Sequence, residues 1–505
     1  MFVVNHHIFT HNNAKYVIDV EKMLSVSIDK EKADALSCLS LDSNYPLKDE
    51  VKAKLLELNL IFEEKIEKPE YKKEKNIPIS DITLFVTQEC NLDCVYCYGD
   101  GGNYGSSGYM TCDTALKAVD WLVEQSGNEK RLCISFFGGE PLLNFPLIKK
   151  VTKYVRKLEK ETEKVFKLGV TTNLSLLDED NLSFLKKNNI IPLISFDGPK
   201  EIQDRQRPFK NVDRSSYDVT ISKIKKLISI IPDIACRPTL MEGTDPTVIR
   251  ESLYEVGFSK IQMIHASPSL LCSDKDNKCH YIADTLDMLE SDAELFLKNV
   301  NERNTAGLKK QKAIGLLNGM PYSFIQKQKK NFPCGAGRKC VGISCSGDVY
   351  LCHRFVGMNE YRLGNVYEAE LKRDAYLERS LYIIDKCSDC FAKYVCAGGC
   401  YYDNLARTGS LHEPSENTCS LMKRVMELTA YIVANLNTEN KEYLVKEKIF
   451  SKRLFTSEEL KLKKHKLIAE IENLGLTEEE FKEVTGRSSL EEFKIDTFPH
   501  DTDMI

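Results

Sequence analysis

Apolar and polar residues alternate in three short runs near the start of the chain, FVVNHHIF, KYVIDV and MLSVSI. That period of two predicts β-strands, broken at Asn12-Asn13 and near the charged pair Glu21 and Lys22. In KEKADALSCLSL and LKDEVKAKLLELNLIF the apolar spacing changes to three and four, which predicts helices. Three strands followed by helices make a winged-helix-like α+β unit over residues 1–64. The charged segment EEKIEKPEYKKEKN then reads as a solvated linker, placed at residues 65–78.

From Ile79 to Pro268 strands alternate with helices, the pattern of a parallel α/β sheet. The strands are ITLFVTQ, LCISFFGG, FKLGVTTN, IPLISFDG, IACRPTL and KIQMIHASP; the helices include ALKAVDWLVEQ, LIKKVTKYVRKLEK and TISKIKKLISI. Six units fall short of eight-fold closure, so the expectation for residues 79–268 is a partial (β/α)6 barrel. In such barrels chemistry gathers at the C-terminal ends of the strands. A helical bridge is expected at 269–330, a cysteine-rich module at 331–425, and a helical, charged tail at 426–505. The tail begins with the amphipathic MKRVMELTAYIVANLN and contains TSEELKLKKHKLIAEIENLG, with Thr456 or Ser457 to cap that helix and Gly475 to end it.

Lys plus Arg number 70 and Asp plus Glu 75, a net charge of −5 that gives no basic footprint for nucleic acid. No apolar run is long enough to span a bilayer, and the first residues lack the cationic start and apolar core of a secretion signal. The expectation is a cytoplasmic protein that engages neither membrane nor nucleic acid. Against that background 18 cysteines stand out, because closely spaced cysteines in the cytosol more often bind metal or do chemistry than form disulfides.

Just after the first barrel strand stand Cys90, Cys94 and Cys97, separated by three and two residues. Thiolates this close can converge on different irons of one cubane, leaving a fourth iron open to a chelating ligand. A zinc site lacking its fourth ligand is the alternative, although structural zinc usually takes four. After the second strand comes Phe137-Gly138-Gly139-Glu140-Pro141, whose glycines permit close backbone approach and whose carboxylate could hold an ammonium group.

The cysteine triad followed by Gly-Gly-Glu-Pro resembles the radical S-adenosylmethionine (SAM) superfamily over residues 79–268. The resemblance implies that Cys90, Cys94 and Cys97 hold a [4Fe-4S] cluster whose open iron is chelated by SAM. One electron then gives methionine and a 5′-deoxyadenosyl radical that abstracts hydrogen from carbon. It further implies that Gly138, Gly139 and Glu140 bind the methionine amino end, that Tyr96 lies against adenine, and that Asn173 and Ser195 contact ribose or nearby groups. Leu174 stands where the family often has glycine. Arg207 and Arg214 could pair with the SAM carboxylate or form surface salt bridges; Arg237 reads as structural. Asp197 is either a substrate-facing acid or part of an Asp-Gly turn.

The C-terminal cysteines keep fixed gaps: twelve residues from Cys334 to Gly347, four to Cys352, then Cys387, two, Cys390, five, Cys396, three, Cys400, and later Cys419. Two zinc knuckles would also use such thiols. The arrangement resembles the SPASM module of peptide-modifying radical enzymes. That resemblance implies two auxiliary [4Fe-4S] clusters, one on Cys334, Cys352, Cys400 and Cys340, the other on Cys387, Cys390, Cys396 and Cys419. Cys345 competes with Cys340, or the iron there stays open to a substrate thiolate. Of the remaining cysteines, Cys38, Cys112, Cys133 and Cys236 read as small apolar residues, and Cys272 and Cys279, which flank a polar loop, read as a weak pair with no assigned role.

Three strands and helices ahead of a SPASM enzyme resemble the element that grips leader peptides, and MLSVSI is the candidate edge for adding a peptide strand. A packing or DNA-binding winged helix is the alternative. The stretches around Cys334, Cys352-His-Arg-Phe355 and Cys396-Ala-Gly-Gly-Cys400 resemble maturases of cysteine-rich precursor peptides that form sactipeptide or ranthipeptide thioethers. The implied partners are such a peptide, bound through its leader, and an external one-electron donor such as flavodoxin or ferredoxin. Rival readings are an anaerobic sulfatase-maturing enzyme, a carbon–carbon cross-linking maturase, and an iron–sulfur electron-transfer or sensor protein.

Overall fold

A computed structural model of the chain describes residues 2–62, 77–271, 282–315, 317, 319–368, 370–377 and 384–450. Most of the linker, the tail helix around 456–475, and Cys272 and Cys279 lie outside the described residues.

Six parallel strands form the centre: Asp81–Thr87, Arg131–Gly138, Val165–Thr172, Ile190–Ile194, Ala235–Cys236 and Lys260–Ile261, hydrogen-bonded in chain order. This is the partial barrel. Helices return on the outside, and four of them start at side-chain caps, Thr111, Asp178, Ser215 and Asp245, each satisfying N–H groups of the first turn. Trp121, Phe136, Leu168 and Ile148 fill the layer between sheet and helices. The last two strands are shorter than their apolar runs suggest. Pro238 has no N–H for a ladder, so IACRPTL splits into Ala235–Cys236 and Thr239–Leu240. The latter pairs with Ile264–His265 in a separate two-stranded sheet.

The sheet does not stop at the barrel's first strand. Cys340–Ile343 pairs parallel to Asp81–Thr87, and Asp348–Tyr350 and Arg362–Asn365 follow antiparallel, giving nine strands. The cysteine-rich module is therefore hydrogen-bonded onto the barrel.

The N-terminal unit is a three-stranded antiparallel sheet, His6–His11, Ala14–Asp19 and Leu24–Ile28, followed by helices Lys30–Leu41 and Asp49–Glu57. Asn12 and Asn13 both take positive φ, 49° and 61°, the tight hairpin that asparagine tolerates. LKDEVKAKLLELNLIF is not helical throughout: Asn59 turns left-handed and Ile61–Phe62 pairs with Phe2–Val3. Alternation buries both faces of the three-stranded sheet. Val17 and Ile28 pack on the unit's own helices. Tyr16 and Ile18 pack instead into a core with Leu428, Ile432, Leu436 and Leu444, and the helix Glu416–Ala434 runs through that core. Residues 425–450 thus cover the second face of the sheet.

Candidate functional site

The first cysteine loop leaves the C-terminal end of the first barrel strand. The backbone N–H of Leu92 reaches Cys90 Sγ at 3.4 Å. Around Cys97, burial raises the thiol pKa, and the N–H groups of Gly99, Gly102 and Gly101 pull against it by pointing at the sulfur. Gly101 and Gly102 have φ of 61° and 88°, and a Cβ at Gly102 would lie 2.7 Å from Cys90 Cβ and 2.8 Å from Gly139 Cα. The sequence reading passed over these glycines. Their signal is the run Gly99-Asp-Gly-Gly one residue beyond Cys97, after Tyr98.

Gly138 and Gly139 press against the backbone leading into that loop. A Cβ on Gly138 would meet Thr87 O at 1.9 Å, and one on Gly139 would meet Glu89 O at 2.1 Å. Gly139 N–H donates to Thr87 O at 3.1 Å and Glu140 N–H to Glu89 O at 2.8 Å, so the motif is stapled to the cysteine loop. The Glu140 carboxylate is buried and already accepts three protein hydrogen bonds, from Leu142 N–H at 3.0 Å, the Thr172 hydroxyl at 2.7 Å and Asn173 N–H at 2.8 Å. Burial nevertheless pushes its pKa up to about 7.

Asn173 is buried and donates to Asn91 Oδ1 at 3.1 Å, again tying a strand end to the cysteine loop. Leu174 adopts φ 63°, the left-handed turn that glycine usually supplies, and is fully buried. Ser195 is half-buried, its N–H on Thr172 O at 2.9 Å. Tyr96 donates its hydroxyl to Asp197 Oδ2 at 2.6 Å. Arg207 is buried and donates to Asp197 Oδ1 at 3.0 Å, with its guanidinium 5.2 Å from the Tyr96 ring centre. Asp197 also accepts from Gln206 and from Thr239 N–H. It is thus a buried acceptor hub that positions Tyr96 and Arg207. Arg214 is exposed, beside Lys223, and joins none of these groups.

Farther out, Cys334, Cys340, Cys352 and Cys400 are electrostatic neighbours. Burial raises each of the first three thiols, and N–H groups of Ala336 and Arg354 point at Cys334 and Cys352. Cys345 turns elsewhere, donating its thiol to Phe85 O at 3.2 Å. Cys387, Cys390, Cys396 and Cys419 form a second set around a cavity of about 310 Å³, with N–H groups of Gly398 and Gly399 aimed at Cys396. Among the described residues no three His, Cys, Asp or Glu side chains gather tightly enough for a single metal ion. Thiols that share a multi-iron core bind different irons and need no such convergence. Thiol-rich donor sets with N–H groups directed at sulfur fit iron–sulfur clusters, whose potentials such hydrogen bonds tune. Of the other cysteines, Cys236 is buried and Cys38, Cys112 and Cys133 are half-buried.

The model of the radical SAM superfamily matches residues 84–252. The chain is 24% identical over 346 residues to the cysteine-type anaerobic sulfatase-maturating enzyme of Clostridium perfringens, covering 64% of this chain and 89% of that enzyme. It is 37% identical over 137 residues to an uncharacterised protein of Methanocaldococcus jannaschii, covering 27% of this chain and 45% of that relative, so it spans less than half of that protein's length. The solved structure of native anSMEcpe with bound AdoMet and Cp18Cys peptide shares the fold, with a TM-score of 0.57 at 20% identity over 70% of this chain and 98% of that one. Residues 84–252 thus carry the radical SAM domain. That superfamily implies a SAM-binding [4Fe-4S] cluster. Among the described residues no helix is long and apolar enough to cross a membrane.

Proposed function

We propose that this chain is a maturase of a ribosomally made, cysteine-bearing precursor peptide, joining a cysteine sulfur to a carbon of another residue. The observation that carries the reading is one continuous nine-stranded sheet that joins the barrel carrying the first cysteine loop to the cysteine-rich module, with a three-stranded N-terminal sheet packed on the helix Glu416–Ala434 that carries Cys419. Cys90, Cys94 and Cys97 would hold the SAM-binding cluster. Cys334, Cys340, Cys352 and Cys400 would hold one auxiliary cluster, and Cys387, Cys390, Cys396 and Cys419 another. When bound, the cluster-chelated cofactor supplies a radical that removes hydrogen from carbon. Gly138 to Glu140, Asn173 and Ser195 would line its site, and Tyr96 would be held in place by Asp197.

Within its own sheet the strand Leu24–Ile28 pairs on one side only. Its outer edge would accept the leader as an added strand. An external one-electron donor of the flavodoxin or ferredoxin kind would serve the clusters. Overall, the C–H hydrogen atom would pass to the radical supplied by SAM, the thiol proton would leave, one C–S bond would form and the remaining electron would return to the clusters, a two-electron oxidation of the peptide in which SAM is the oxidant.

The test is anaerobic incubation with SAM, dithionite and a short cysteine-rich peptide encoded beside the gene. The expected product lacks two hydrogens per link and resists thiol alkylation. The rival reading draws on the likeness to the sulfatase-maturating enzyme, whose full length is nearly covered. Under that rival a cysteine would become an aldehyde that reacts with a hydrazide probe. An aldehyde product, or an unchanged peptide mass, would overturn the thioether proposal.

A further inference from the structure

Arg207 and Arg250, both buried in the barrel, and the half-buried Arg354 of the cysteine-rich module each hold an aspartate, Asp197, Asp292 and Asp403 in turn. Arg237 does not. Half-buried, it stands at the C-terminal end of the fifth barrel strand and donates from Nη2 to the neutral amide of Gln262 at 2.8 Å, while its Nε, like those of the three paired arginines, is buried without a hydrogen-bond partner. Among the described residues no carboxylate pairs with it. Burial lowers its pKa; Tyr98 opposes that and Arg354 adds to it. A guanidinium taken out of water without an anion is unfavourable, and an anionic ligand removes that penalty.

The surroundings place this charge at the mouth of the barrel. Tyr98 follows Cys97 in the first cysteine loop, and the Arg354 guanidinium lies 4.9 Å from its ring centre. His353, next to Cys352, feels both Arg237 and Arg354, and its ring lies 5.3 Å from Phe137, the residue before Gly138. Asp403 is the carboxylate on Arg354, and it also takes the Ser267 hydroxyl. Arg354 is thus committed to Asp403 and reaches Cys400 Sγ at 3.6 Å, and Arg407 also acts on Asp403, whereas Arg237 stands between the loop of Cys97 and the loop of Cys352 with no carboxylate of its own among the described residues.

We propose that Arg237 is a binding site for a carboxylate of the peptide substrate, presented by an acidic side chain or by the peptide's C-terminus. This rests on the peptide-maturase reading. A bound carboxylate would fix the peptide by a charge-assisted, two-pronged contact that a lysine reproduces only in part.

The experiment uses the full, reconstituted protein with SAM and the fluorescently labelled precursor peptide encoded beside the gene, read by anisotropy. Each Asp or Glu of the peptide is changed singly to its amide, and a further peptide carries a C-terminal amide. One of these changes should weaken binding to the parent protein at least tenfold and have no further effect in Arg237→Gln, which identifies the source of the carboxylate. Arg237→Lys should keep part of the discrimination, and it decides the matter if Arg237→Gln does not fold. Affinity for SAM should be unchanged in both variants. The inference is overturned if every amide peptide binds like its parent, if Arg237→Gln still discriminates, or if SAM binding is lost with it. A peptide that is modified but indifferent to amidation sinks this inference alone; one that neither binds nor reacts sinks the maturase reading as well.

Discussion

The buried carboxylate of Glu140 accepts the backbone N–H of Asn173 at 2.8 Å, fastening the end of the second barrel strand to the end of the third. Because burial outweighs its three hydrogen bonds, the group titrates at about 7 when folded against 4.5 as a free side chain. Between those values the folded protein holds a proton that the unfolded chain has lost. Stability is therefore highest below about pH 4.5 and falls as the pH rises to about 7, by on the order of 3 kcal/mol. Thermal melts of cluster-free protein from pH 5 to 8 should show a decline that Glu140→Gln lacks. Parallel curves for the two proteins would count against this account.

Asp197 gives a sharper test of how the site is held. It is fully buried and accepts from Arg207, Tyr96, Gln206 and Thr239. Removing it leaves the Arg207 charge buried and uncompensated, a loss of about 3–5 kcal/mol. Asp197→Ala should lower the melting temperature strongly, and the double variant with Arg207→Met should regain much of the loss. A double variant as unstable as the sum of two independent effects would separate the pair.

Cys345 and Cys340 differ in what their sulfurs touch. Cys345 gives its thiol to Phe85 O, whereas Cys340 opens the strand beside the first barrel strand and neighbours Cys334 and Cys352. Iron and sulfide analysis of reconstituted Cys345→Ala should match the parent, and Cys340→Ala should hold less. The opposite result would exchange their roles.

The alternation of strands and helices, and the gaps between cysteines, were legible because each reports a local period or spacing. What stayed hidden depends on contacts between distant segments. Nothing local in VGIS foretells that Cys340–Ile343 continues the barrel sheet. Arg207 offered an exposed salt bridge or a ligand contact in the sequence; only the fold places it in a buried pair with Asp197. Leu174 takes a glycine-like turn since its side chain is buried in the core, and that packing offsets an unfavourable backbone conformation of about 1–2 kcal/mol. Leu174→Gly would relieve the backbone and empty the core site.

The N-terminal sheet is fixed to the second auxiliary set by charge as well as by packing. Glu21 accepts from Lys393 Nζ at 2.8 Å and from the Tyr394 hydroxyl at 2.6 Å, both in the short helix Lys393–Cys396. Lys393 is only 3% exposed, so Glu21→Ala strands a buried ammonium, and the loss should be about 3 kcal/mol. His7, stacked 3.5 Å from Phe391, would remain. Glu21→Gln combined with Lys393→Met should recover most of the stability, because neither variant then buries a lone charge. Melting temperatures of the single and double variants check this, with limited proteolysis to report release of the N-terminal unit. If Glu21→Ala melts like the parent and resists proteolysis equally, apolar packing alone holds the sheet in place.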